Sequence, residues 1–277
     1  MKFKKPLFII ILTLVFASQL FAQSSQLVKI WETDSTLKVP ESVLYHAPEK
    51  VLYVSCIDGK SDEKDLKGSI AKVSPQGKIL NAAWATNLSA PKGMGIYNNN
   101  LYVADLSEVA VIDLKSGKVT GRIPVEGAIF LNDITIDDSG TVYVSDSRTG
   151  KVHQIKNGSV SLWMDKKMGV NGLLAVNNDI YLAVKDTLYK ADSNKKLTAI
   201  TTDMDESSDG IVKNGKDLIV SCWNGIIYAV NVNGTKTELL DTRAQKSNTA
   251  DLGFDQVTKV LYVPTFFKNR VVAYQIK

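Results

Sequence analysis

Val51-Leu-Tyr-Val54 is a short apolar run that returns five more times, as Leu101-Tyr-Val103, Val142-Tyr-Val144, Ile180-Tyr-Leu182, Leu218-Ile-Val220 and Val260-Leu-Tyr-Val263. With the central Tyr or Ile as marker, the copies stand at 53, 102, 143, 181, 219 and 262, at intervals of 49, 41, 38, 38 and 43 residues. That period is close to one four-stranded propeller blade and longer than an ankyrin, tetratricopeptide or leucine-rich unit. One such unit cannot bury both of its faces alone, so the copies must stack. The spacing predicts an all-β chain folded as a six-bladed β-propeller.

The flanking segments fit that layout. A strand-like stretch precedes each marker: Ser42 to His46, Gly93 to Tyr97, Asp133 to Asp137, Gly172 to Val176, Gly210 to Lys213 and Asp251 to Asp255. Hairpin turns rich in Gly, Asn or Pro follow it, as in Ser74-Pro-Gln-Gly77, Lys115-Ser-Gly-Lys118, Lys156-Asn-Gly158, Asp192-Ser-Asn194 and Val232-Asn-Gly234. The sixth unit stops at Lys277 without an outermost strand, while Leu27-Val-Lys-Ile-Trp31 is strand-like and has no blade. Pairing the two closes the ring and removes two exposed sheet edges. No stretch carries helical amphipathic periodicity over several turns, so residues 27–277 are expected to form a single domain.

Residues 1–22 read differently. Lys2, Lys4 and Lys5 precede the apolar run Leu7 to Phe16, and Leu20-Phe-Ala22 offers a small residue at a cut, the pattern of a signal peptide. The apolar run is too short to span a bilayer comfortably, so no membrane span is expected after cleavage and the mature chain is expected in the periplasm or outside the cell; an uncleaved anchor is the alternative, because Leu20 is an imperfect residue before the cut. Without those three lysines the formal charge of +4 falls to +1, which gives no electrostatic case for nucleic acid or an anionic membrane. Cys56 and Cys222 each lie three residues after a marker, in units separated by a whole blade. A disulfide needs Cα atoms within about 7 Å, so two buried free thiols are expected. His46 and His153 are the only histidines, and neither leads a strand.

The informative positions are the residues that open the six first strands: Glu41, Lys92, Asn132, Asn171, Asp209 and Ala250, followed directly by Ser42, Gly93, Asp133, Gly172, Gly210 and Asp251. First strands line the channel of a propeller, so one residue per blade makes a ring at one mouth. Four of the six are oxygen donors, and Glu41 with Asp209 brings two negative charges, a set suited to a divalent cation held without His or Cys. Ca²⁺ takes about six to eight oxygens, which leaves places for water and a substrate oxygen. Zn²⁺ and Mn²⁺ stay open as alternatives. Lys92 would compete with a cation unless its long stem carries the ammonium outward to the rim. The bland reading is that these residues fill a polar, watery channel. Trp84, Trp163 and Trp223 are expected as packing between blades.

Val39-Pro-Glu-Ser-Val43, Phe130-Leu-Asn-Asp133, Val170-Asn-Gly-Leu173 and Ser208-Asp-Gly-Ile211, in that order and spacing, resemble the senescence marker protein 30, gluconolactonase and luciferin-regenerating enzyme family. The resemblance covers essentially all of residues 27–277 and implies a catalytic divalent metal, commonly calcium, held by Glu41, Asn171 and Asp209. Asn132 matches an Asn that is a ligand in the related diisopropylfluorophosphatases and a substrate contact in sugar lactonases. The implied chemistry is hydrolysis of a lactone or similar ester, with the cation polarising the carbonyl and Asp209 as base or nucleophile. Asp133 and Asp251 alternate away from the ring and are expected to support it from behind.

One departure bears on the substrate. Sugar lactonases carry an Arg two residues before the Asn that matches Asn132; here that residue is Phe130. An aromatic ring supplies apolar area and no charged fork. The small-molecule lactone or ester is then less hydroxylated or less anionic than gluconolactone, or is held by another residue such as Lys92. A monomer is expected. The alternative from another class is a non-catalytic propeller that binds a ligand or protein partner over a structural cation.

Overall fold

A computed structural model describes residue 1 and residues 27–277. The expected signal peptide, apart from Met1, lies outside the described residues. Six four-stranded antiparallel sheets form the blades of a six-bladed β-propeller. Five are built from consecutive strands, beginning with blade 1 from Pro40–His46, Val51–Cys56, Gly68–Val73 and Ile79–Leu88. Blade 6 takes Gly253–Asp255, Val260–Pro264 and Val271–Ile276 from the C-terminal end and Leu27–Glu32 from the N-terminal end. Leu27 pairs with Ile276 and Glu32 with Val272, so the ring is closed by the strand that the sequence left without a blade.

The marker strands are covered on both faces, which is why they read as unbroken apolar runs. All six residues of Val51–Cys56 are buried, and alternate side chains serve different neighbours, as the two-residue strand period requires. Val51 and Tyr53 pack with Leu101 and Val103 of blade 2. Leu52, Val54 and Cys56 pack with Tyr262, Val271 and Ala273 of blade 6. The core therefore lies between blades, and truncating a residue such as Leu52 to Ala costs about 2 to 5 kcal/mol. Trp84 and Trp163 join these inter-blade clusters. Trp223 sits instead in an apolar cluster with Ile57, Ala90, Leu106, Ala250 and Phe266.

Turn chemistry follows the sequence: Asn157 and Gly158 both adopt left-handed φ, 51° and 77°, the demand of a two-residue hairpin. The long interval of 49 residues after the first marker has two sources in blade 1, the ten-residue fourth strand Ile79–Leu88 and the loop 57–67. Cys56 and Cys222 are buried and free. Burial first, and a nearby aspartate second, pushes both thiols up to about 12.

Candidate functional site

The first strand of each blade begins at the same mouth: Pro40–His46, Pro91–Tyr97, Leu131–Ile136, Val170–Val176, Ser208–Asn214 and, in blade 6, the bridge residue Asp251 followed by Gly253–Asp255. In blades 1 to 5 the pairing register slips at the second residue or just after it, between Pro40 and Ser42, Pro91 and Met94, Leu131 and Ile134, Val170 and Leu173, and Ser208 and Ile211. A bulge frees a backbone group and re-aims a side chain. The slipped positions are those of Glu41, Lys92, Asn132, Asn171 and Asp209.

Freed amides need acceptors. In blades 1, 3 and 5 a serine two residues after the marker supplies one: Ser42 N–H donates to Ser55 Oγ, Asp133 N–H to Ser145 Oγ and Gly210 N–H to Ser221 Oγ, each at 2.9 Å. The even blades carry Ala104, Ala183 and Pro264 there. This alternation is visible in the aligned marker strands and identifies the residues that hold the bulges.

The next ring of residues locks blade to blade. Asp133 accepts from its neighbour Ile134 N–H at 2.7 Å and from Leu173 N–H of blade 4 at 2.6 Å. Asp251 accepts from Ser42 Oγ–H of blade 1 at 2.5 Å. These carboxylates need room beside them, and glycine provides it. A Cβ on Gly93 or Gly210 would stand 2.3 Å from an oxygen of Asp133 or Asp251, and one on Gly172 would stand 1.8 Å from the Asp209 carbonyl oxygen. The Asn-Gly and Asp-Gly pairs are thus required by close approach of neighbouring blades. Below this ring an axial cavity of about 250 Å³ is lined by the first strands of all six blades, with Asp133 and Asp251 facing it.

Glu41, Lys92, Asn132 and Asp209 are buried and Asn171 is half-buried. Asn171 Nδ2 donates to Asp209 Oδ1 at 2.9 Å, and Asn132 Nδ2 donates to Ser147 Oγ at 3.0 Å. Both amides spend their donors sideways. Asn171 Oδ1 and Glu41 Oε2 are buried without a hydrogen-bond partner, an arrangement that costs free energy unless something else fills it. Burial first and Asp209 second push the Glu41 carboxyl well above the usual carboxylate range, with Lys92 opposing. Burial does the same to Asp209, reinforced by Asp251 and opposed by the Asn171 hydrogen bond. Asp133 rises for burial and for Asp251, and Asp251 itself rises to about 6 through burial.

Lys92 corrects one expectation. Its ammonium does not run out to a solvated rim: the residue is 1% exposed. Its Nζ donates to Ala90 O at 3.0 Å and stands 4.3 Å from the Phe130 ring centre. Ala90 is itself fixed by the Asp105 carboxylate, which accepts the Ala90 and Ser89 amides. Burial lowers the Lys92 ammonium to about 8, with Glu41 and Asp105 opposing.

Phe130 lies half-buried at the mouth, and the structure brings it a guanidinium that sequence reading missed. Arg148, on the loop after the second strand of blade 3, sits 4.5 Å from the Phe130 ring centre and pairs with Asp62 of the loop 57–67 at 2.8 Å. Buried Asp146 holds both partners, accepting from the amides of Ile129, Phe130, Arg148 and Thr149. Nothing in the repeat pattern points to Arg148 or Asp62, since loops share no register with strands. His46 and His153 stay away from the ring: one ends the first strand of blade 1, the other is buried in the third strand of blade 3.

Among the described residues no trio of His, Cys, Asp or Glu is arranged to hold a metal ion, so any cation at this mouth must use the mixed carboxylate and amide set. No protein-family model and no curated protein matches the chain. Among solved structures it is similar to a catalytically inactive histidine-to-alanine variant of virginiamycin B lyase from Staphylococcus aureus with quinupristin, at 12% identity and a TM-score of 0.64, over 91% of this chain and 99% of that one. It is also similar to a streptogramin B lyase, at 8% identity and a TM-score of 0.66, over 91% and 97% of the two chains. At these identities the likeness establishes the propeller fold alone.

Proposed function

We infer that this is an exported, cation-dependent hydrolase of the senescence marker protein 30 and gluconolactonase type that opens a lactone or similar ester. The observation that carries the reading is the pair of buried, unpartnered oxygens, Glu41 Oε2 and Asn171 Oδ1, in one ring with Asp209 and Asn132. Their chemistry fits a hard divalent ion, Ca²⁺ before Zn²⁺ or Mn²⁺: hard oxygens only, with Glu41 and Asp209 as the charged members. Glu41, Asn132, Asn171 and Asp209 would hold it. Such a group, when bound, supplies Lewis acidity toward a carbonyl oxygen.

The chain's own residues do the rest. Asp209 keeps one carboxylate oxygen on Asn171 and leaves the other to take a proton from the attacking water. Burial that raises its basicity suits it to that task. Asp133 and Ser145 fix the backbone that carries Asn132 and Asn171, so the donors are positioned before substrate arrives.

The lyase neighbours suggest a second chemistry, and the histidines speak against it. One neighbour is named as inactive on losing a histidine, whereas His46 here follows Glu41 by five strand residues, about 17 Å along the strand. A non-catalytic propeller over a structural cation would keep the ion and lack turnover.

The test is metal analysis of the purified protein, followed by lactone and aryl-ester assays with Ca²⁺, Zn²⁺ or Mn²⁺ beside Asp209→Ala. Removing a general base costs about 10²- to 10⁴-fold in rate. Wild-type turnover no greater than that of the variant across the panel would sink the enzyme reading. An ion present at 100 times its dissociation constant adds about 2.7 kcal/mol, so chelation should lower Tm by about 5 °C. An unchanged melting curve would sink the cation.

A further inference from the structure

The loop 57–67, between the second and third strands of blade 1, is the longest of the six that join a second strand to a third; the equivalent segments elsewhere run from two residues to six. It carries Asp62 across to Arg148, two blades away. Both members of this pair are about half exposed, so it is of the kind that contributes little to stability. Arg148 and Lys92 approach the same Phe130 ring. Lys92 is buried, yet only one of its three N–H groups has a partner among the described residues, the Ala90 carbonyl. A buried ammonium with free donors, a guanidinium on the same aromatic ring, and one carboxylate already drawn onto that guanidinium describe an anion site with a stand-in.

Asp146 makes it a built site and not a chance meeting of surface charges. Its buried carboxylate fixes the backbone of Phe130 and Arg148 through one set of amide hydrogen bonds. The ring holds the ammonium and guanidinium by cation–π contact, and their donors stay available. Arg binds carboxylates in a fixed two-pronged geometry, which an exposed aspartate can occupy and a substrate can take over.

We propose that the mouth accepts a substrate carrying a carboxylate apart from its scissile ester, bound by Arg148 and Lys92 around Phe130, with Asp62 occupying Arg148 until substrate displaces it. The inference rests on the hydrolase reading and narrows its substrate class. It sets aside the expectation that losing the family Arg makes the substrate less anionic: the guanidinium arrives from another loop. Displacing Asp62 costs substrate only about two- to fivefold in affinity, while a charge-assisted carboxylate contact contributes about ten- to a hundredfold.

Mono-4-nitrophenyl succinate and 4-nitrophenyl butyrate differ by that one carboxylate. In wild-type protein with Ca²⁺, the ratio of their kcat/KM values should favour the succinate. Arg148→Gln should lower that ratio at least about tenfold, and Asp62→Asn should raise it about two- to fivefold. Calorimetry with succinate alone gives a readout independent of catalysis: binding to wild type, tighter binding to Asp62→Asn and loss in Arg148→Gln. An unchanged ratio in Arg148→Gln overturns the proposal, as does succinate binding that is absent from wild type or equal in the two proteins. If neither ester is turned over but succinate binds and needs Arg148, the hydrolase reading fails and the anion site stands.

Discussion

Gly172→Ala tests whether the site geometry is set by blade-to-blade contact. Gly172 has no left-handed φ among the glycines that do, so alanine is conformationally acceptable and any effect is steric. Its Cβ would lie 1.8 Å from the Asp209 carbonyl oxygen, whereas carbon and oxygen normally stay about 3.3 Å apart. Blades 4 and 5 must therefore separate by roughly 1.5 Å along that contact. Overpacking of this kind costs about 1 to 3 kcal/mol. The separation also strains the 2.9 Å hydrogen bond from Asn171 to Asp209, a bond to a charged group worth about 1.5 to 3 kcal/mol. The combined loss of about 2.5 to 6 kcal/mol corresponds to a fall in Tm of about 5 to 12 °C for a domain of this size. Calorimetric melting in chelator measures it, and repeating the scan with Ca²⁺ asks whether the ion still stabilises once Asn171 and Asp209 move apart. Gly121→Ala is the control: its Cβ would find nothing closer than 3.8 Å, so it should be neutral or stabilise by up to about 1 kcal/mol. A Gly172→Ala protein that melts within 1 or 2 degrees of wild type, and gains the same from Ca²⁺, would refute the reasoning.

Asp251, raised from an ordinary 3.8 to about 6 by burial, sets a pH slope. The folded state holds this proton more tightly than the unfolded chain, so the group's contribution is fully present below about pH 4 and is lost as pH rises through 6, by about 3 kcal/mol. Denaturant melts in chelator at pH 4 to 8 should show the decline, and Asp251→Asn should make it shallower, the remainder coming from Glu41, Asp133 and Asp209; a variant with the wild-type slope would contradict the assignment. Glu41 and Asp209 are also raised by burial and by neighbouring carboxylates, so filling the ring with a divalent ion should release protons. Calorimetric Ca²⁺ titrations in buffers of different ionisation enthalpy would detect that release, and heats that do not depend on the buffer would exclude it.

What the sequence disclosed about this mouth, and what it hid, follow from the same repeat. Glu41, Asn132, Asn171 and Asp209 occupy the equivalent position of blades 1, 3, 4 and 5, so aligning the marker strands aligns them too. The closure of blade 6 by Leu27–Glu32 was legible for a related reason: an orphan strand and a missing one have a single economical pairing. The bulge serines Ser55, Ser145 and Ser221 were in plain view within the markers, but a buried serine in an apolar run reads as tolerated polarity until its acceptor role is seen. Lys92 misled for the opposite reason. Lysine is ordinarily exposed, and its burial here depends on Ala90, Asp105 and Phe130, which meet only through tertiary structure.

Arg148 and Asp62 show where repeat logic stops. They belong to loops of different blades, 86 residues apart in sequence, and no period relates them. Yet the strands decide where both loops emerge, because every loop after a second strand opens at the mouth that holds Glu41 and Asp209. A propeller thus separates two tasks physically. Residues in register build a ring of oxygen donors, and residues out of register decorate it without disturbing the blades. Phe130, just before the first strand of blade 3, shows this: an adjacent loop stacks the Arg148 guanidinium on its ring without altering the strands. The loop 57–67 can vary on the same terms, while the ring of oxygen donors stays fixed by the bulges, the serines and the glycines that let the blades touch.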